Sequence, residues 1–137
     1  MNKKIQELKK YIDSKVLPDD IFLAIAFGSQ VCQVPSNSSI LHASFYELKQ
    51  KLRFKRLLTD FTFDMSGISP YSKTLEDVLF RLEFSEIIQQ IPFLGDKYCL
   101  NTSFVLNDRV LGKFSESEQQ LLTEASKELQ DLFEKRT

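Results

Sequence analysis

The stretch from Pro70 to Asn101 constrains the fold of this chain more than any other. Within it Leu75, Val78, Leu79 and Leu82 recur at i, i+3, i+4 and i+7, one apolar stripe at the period of an α-helix. Pro70 opposes continuation of any earlier helix. Ser72 or Thr74 can accept a bond from the orphan N–H groups of the first turn, and Glu76 and Asp77 suit the positive end of the dipole there. Beyond Phe84 the helical period fades. Ile87, Ile88 and Ile91 are β-branched, and Pro92-Phe93-Leu94-Gly95-Asp96 supplies a reversal, so Ile87 to Ile91 and Lys97 to Asn101 are expected to pair as strands.

Helix, strand, turn, strand is the second half of a winged helix-turn-helix. The expected fold class is therefore α+β, mainly helical, in a single domain over 1–137, with a winged-helix centre at about 38–101 and flanking helices at 2–28 and 115–135. A chain of 137 residues buries roughly 65–70% of its unfolded surface and holds a core without covalent staples. Cys32 and Cys99 lie in different segments without CxxC spacing, which reads as reduced thiols in a cytosolic protein.

The remaining segments supply the flanking elements. Ile5, Leu8 and Ile12 form a narrow stripe among lysines, so Asn2 to Lys15 reads as a surface helix. Leu17-Pro18-Asp19-Asp20 looks like a helix start and Gly28 a stop. Ile21 to Phe27 is apolar all round and reads first as a buried helix, with a buried strand as the alternative. Gln30 to Ser39, with Pro35 and its serines, reads as a loop. A helix capped by Ser38 or Ser39 follows, with Leu41, Phe45, Leu48 and Leu52 as its core stripe. Phe54 to Thr59 is a candidate second short helix, and Phe61 to Met65 alternates like a half-buried strand. Asn101 to Phe114 implies burial without a clear type. Ser115-Glu116-Ser117-Glu118 is a capping box, opening an amphipathic helix through Leu121, Leu122, Ala125, Leu129, Leu132 and Phe133.

The segment FTFDMSGISPYSKTLEDVLFRLEFSEII, through Gly67, Pro70, Tyr71, Ser72, Leu75 and Leu82, resembles a known pattern. It is the strand, G-x-x-PYS-x-x-L turn and helix of bacterial winged-helix proteins related to SocA-like (Panacea) antitoxins and to YwgA-type proteins. Leu41 to Leu48 stands where the preceding helix would be. The resemblance implies a bacterial or phage winged-helix regulator or adaptor, with no catalytic residues to carry over.

Several kinds of chemistry lack their residues. The lone His42 has no second ligand or nucleophile at a recognised spacing, which favours a structural or surface role. Ala26-Phe27-Gly28-Ser29 is superficially like a nucleotidyltransferase turn, but no carboxylate pair follows to hold magnesium. Glu76/Asp77 and Glu116/Glu118 suit helix starts better than acid/base pairs. No enzyme, metal site or small-molecule cofactor is expected. The charged N-terminus lacks a signal-peptide core and Ile21 to Phe27 is too short to span a bilayer, so a cytoplasmic protein with no membrane partner is expected.

Two surfaces remain. A formal charge of -1 gives no global attraction for nucleic acid, but Lys49, Lys51, Arg53, Lys55 and Arg56 form a local basic run that could contact phosphates, with Phe54 stacking or inserting. The bland reading is a solvated helix end. Against duplex DNA, the helix after Pro70 carries Glu76, Asp77, Glu83 and Glu86 against Lys73 and Arg81, an awkward charge for a groove lined by phosphates. On that helix Phe80 and Phe84 fall opposite Leu75, Leu79 and Leu82, beside Asp77 and Arg81. Either the terminal helices cover the two rings, or they form an exposed patch for a protein partner or a homodimer mate. The expected function is a non-enzymatic protein-interaction module, an adaptor or antitoxin-like regulatory subunit using Phe80, Phe84, Asp77 and Arg81. The alternative is a DNA-binding transcriptional regulator using 49–56 and the wing.

Overall fold

The apolar run after Pro18 is a helix, and it is apolar on every side because other elements surround it. The computed structural model describes residues 15–28, 34–91, 96–101, 104 and 106–136. In order they form α1 (Pro18–Ala26), β1 (Val34–Pro35), α2 (Ser38–Gln50), α3 (Lys73–Phe84), β2 (Ile88–Ile91), β3 (Lys97–Leu100), a short α4 (Leu106–Arg109), a 3-10 turn (Leu111–Lys113) and α5 (Glu116–Arg136). The architecture is α+β, mainly helical, with one small antiparallel sheet in the order β1-β3-β2. Of the helix expected over Asn2 to Lys15, residues 2–14 lie outside the described residues and Lys15 is a bend; of the reversal expected at Pro92 to Asp96, residues 92–95 lie outside them.

Asp20 starts α1 by accepting from the Leu17 N–H at 2.8 Å, and every residue from Ile21 to Phe27 is then buried. α1 packs on both α5 and α3, and α5 also packs on α2. Gly28 has no room for a side chain: a Cβ there would lie 2.2 Å from the Ala24 carbonyl oxygen and 3.2 Å from Ser126 Oγ on α5. Phe22, Phe45 and Phe61 stack through the centre, with centroids 5.5 and 6.1 Å apart. Each buried aromatic of this kind contributes about 1.5–3 kcal/mol.

Helix ends follow the local chemistry. The α5 capping box is complete, because Glu118 Oε1 accepts from the Ser115 N–H at 3.0 Å and Ser115 Oγ accepts from the Glu118 N–H at 3.2 Å. Ser72 caps α3 by accepting from the Leu75 N–H at 3.2 Å. α2 is capped by Asn37, not by Ser38 or Ser39; its Oδ1 accepts from the Ile40 N–H at 3.1 Å. At the far end of α3, Glu86 adopts φ 63°, and the Ile87 N–H closes back on the Leu82 carbonyl at 2.9 Å.

The hairpin of β2 and β3 pairs Ile88 with Leu100 and Ile91 with Lys97, close to the expected limits. Inside the predicted loop, however, Val34 and Pro35 form a strand against Tyr98 and Lys97. A two-residue strand leaves no periodicity to read, and Pro35 occupies a sheet edge, where its missing donor costs least. Phe61 to Met65 is not a strand. Phe61 is buried and Phe63 half-buried as the alternation implies, but the only pairing there is a single bridge between Asp64 and Tyr71, which closes an exposed loop. Phe54 to Thr59 forms successive turns bonded i to i−3, not an α-helix. Leu52 leaves the core stripe and is 88% exposed, because α2 ends at Gln50 and Lys51 turns to extended backbone.

Cys99 is buried on β3 and disulfide-bonded, which corrects the expectation of a reduced thiol and removes the support it lent to a cytosolic setting. Cys32 lies outside the described residues. Among the described residues no helix is long and apolar enough to cross a membrane.

Candidate interaction surface

α3 spends Leu75, Val78, Leu79 and Leu82 on the core, and all four are buried. Its opposite face therefore points outward. There Phe80 and Phe84, one turn apart, stack on each other with centroids 6.0 Å apart and ring planes 20° from parallel. They are 70% and 81% exposed. Among the described residues neither α1 nor α5 covers them. Lys73, Asp77 and Arg81 share this outer face and are also exposed.

Of the four residues the sequence assigns to a partner surface, three present free groups there. Arg81 is the exception, because its guanidinium forks onto Asp19 of α1 at 2.7 and 3.1 Å. The bond to Asp19 is also the main cause that pushes the Arg81 pKa upward. Arg81 thus anchors α3 to α1 and forms one wall of a cleft of about 680 Å³ between α3, α1 and the α4 region. Lys113 and Asp20 form a second, largely enclosed ion pair in the same cleft, at 3.0 Å. Nothing in the local sequence signals this cleft, since its walls come from segments about ninety residues apart.

The basic run is not a free electropositive stripe. Lys49 Nζ donates to the Phe61 carbonyl at 2.8 Å, Lys51 pairs with Glu128 at 2.7 Å, and Arg53 pairs with Glu124. The Glu128 bond is the leading reason the Lys51 pKa is raised. Only Lys55 and Arg56 of the run lack such a side-chain partner among the described residues. Phe54 is fully buried, with the Arg53 guanidinium 5.4 Å from its ring centroid, so it cannot stack on or insert between bases.

His42 is buried, and both ring nitrogens are occupied. Nδ1 accepts from the Ser72 N–H at 2.8 Å, which leaves the proton on Nε2, and Nε2 donates to Glu76 Oε1 at 2.7 Å. The ring also stacks on Tyr71, centroids 4.9 Å apart. No nitrogen is left to act as a base, so the side chain serves as a latch between α2 and the start of α3. Among the described residues no group of three or more His, Cys, Asp or Glu is placed to hold a metal ion.

Comparison with protein families, with characterised proteins and with solved structures finds no match to this chain.

Proposed function

We propose that this chain is a winged-helix interaction module whose α3 docks a protein partner or a second copy through Phe80 and Phe84. The observation that carries the proposal is the pair itself: two stacked, strongly exposed phenylalanines on a helix whose other face is fully packed. Scattered apolar residues on a surface need no explanation, but adjacent large rings make an anchor of the kind that dominates binding energy. Asp77 at the edge adds a charge by which a partner could be selected.

Support for the winged-helix reading comes from the order helix, strand, helix, helix, hairpin, with β1 adding to the far strand of the hairpin. In that reading α3 occupies the recognition position. Its outer face carries aromatic rings and mixed charge where a groove reader would carry cations, which favours protein over DNA. A role as an adaptor or antitoxin-like regulatory subunit rests on the resemblance around Gly67 to Leu82. The DNA-binding alternative draws less support, because three of the five cations proposed for it are engaged within the chain.

The test is affinity capture with the tagged chain and with its Phe80→Ser/Phe84→Ser variant, reading bound protein by mass spectrometry and self-association by light scattering. The expected result is a protein, or a dimer, retained by the original chain and lost from the variant. Identical captures from both chains would refute the assignment.

A further inference from the structure

The cleft between α1, α3 and the α4 region has the makings of a ligand site separate from the aromatic face. Its volume of about 680 Å³ lies within the range of small-molecule pockets, roughly 300–1,000 Å³. Leu17, Ile87 and Phe104 give it accessible apolar walls, over a floor formed by the buried Leu23, Leu82 and Val110. Its two carboxylates are already satisfied: Asp19 by the Arg81 fork, Asp20 by Lys113 and the Leu17 N–H. Arg81 and Lys113 are satisfied by the same bonds. One cation is left over. Arg109 has neither a carboxylate nor a hydrogen-bond acceptor among the described residues, and its guanidinium stands over the Phe104 ring at 5.4 Å.

That cation–π contact uses none of the Arg109 N–H donors. They remain for an acceptor, and a carboxylate fits the guanidinium fork with two parallel bonds. We infer that the cleft binds a small organic monoanion, a carboxylic acid with an apolar body, its head on Arg109 and its body against Leu17, Ile87 and Phe104. A dianion would leave one charge unmatched, since a single cation in the cleft is uncommitted. A neutral apolar molecule would leave Arg109 without an acceptor.

Octanoate and octan-1-ol, titrated into the full chain and followed by backbone amide shifts, test this directly. Octanoate should give saturable shifts at Leu23, Leu82 and Val110 and bind at least about tenfold more tightly than octan-1-ol, the worth of a charge-assisted bond. Arg109→Gln should remove that preference. Ser85→Trp, which fills the mouth of the cleft from the exposed end of α3, should weaken both ligands, and thermal melts of both variants establish that they fold. The inference is overturned if octanoate gives no saturable shift up to about 10 mM, or binds no better than octan-1-ol. It is equally overturned if Arg109→Gln binds octanoate unchanged, or if the shifts centre on Phe80 and Phe84.

Discussion

Replacing His42 with Phe isolates the hydrogen-bond latch between α2 and α3. A phenyl ring keeps the volume and the stack on Tyr71 but offers no acceptor to the Ser72 N–H and no donor to Glu76. Ser72 is fully buried, so its N–H cannot turn to water and leaving it bare costs about 1–3 kcal/mol. The Glu76 side chain is 37% exposed and recovers most of its loss from solvent. With at most about 1 kcal/mol left from the Glu76 bond, the sum is about 1–4 kcal/mol, a large fraction of the stability of a domain. With a urea slope of about 2 kcal/mol per molar, the midpoint should fall by about 0.5–2 M. Glu76→Gln is the control, because its amide oxygen still accepts from Nε2 and the cost should stay under about 1 kcal/mol. A midpoint for His42→Phe within about 0.3 M of the parent, or an equal loss from Glu76→Gln, would refute the latch.

Two further outcomes follow from the charges. The Ser115 N–H first, and its hydroxyl second, hold the Glu118 carboxyl below its ordinary pKa of 4.5. The stability this contributes is present above 4.5 and is lost as pH falls through the lower folded value; a carboxyl-resolved NMR titration should show the low midpoint. Ser115→Ala should move that midpoint part of the way back up and destabilise α5 by about 1 kcal/mol. If duplex DNA is bound at all through the basic run, only Lys55 and Arg56 are uncommitted, so log affinity against log salt should slope no more steeply than about -2. A slope near about -4 would mean that Lys51 and Arg53 leave Glu128 and Glu124 for phosphate.

What could be read from the sequence was what local chemistry determines. The α3 stripe, the Ser72 cap, the capping box at Ser115 and the β2–β3 hairpin each depend on residues within a few positions of one another. So does the outward aim of Phe80 and Phe84, which follows from the helical period once the inner face is known. Apart from the α2 ends, where Asn37 caps and Leu52 falls beyond the last turn, the misreadings lie where distant segments decide. Val34 and Pro35 become a strand only because Tyr98 and Lys97 lie beside them. Phe61 to Met65 alternates correctly but finds no neighbouring strand, so its alternation yields burial without a sheet. Lys51 and Arg53 look free until Glu128 and Glu124, more than seventy residues on, are brought against them. The partners of His42 stand 30 and 34 residues away, and the Arg109 cleft draws on three separate segments.

The central claim is that the outer face of α3 is a surface kept free for binding and not part of the core. Urea unfolding of Phe80→Ser and Phe84→Ser, each beside the parent chain, measures it most directly. Exposed rings make no cavity when removed, so both variants should unfold within about ±0.5 kcal/mol of the parent. A loss of about 3–5 kcal/mol in both would mean that the rings are packed in the folded chain, and that α3 has no free face with which to recognise a partner.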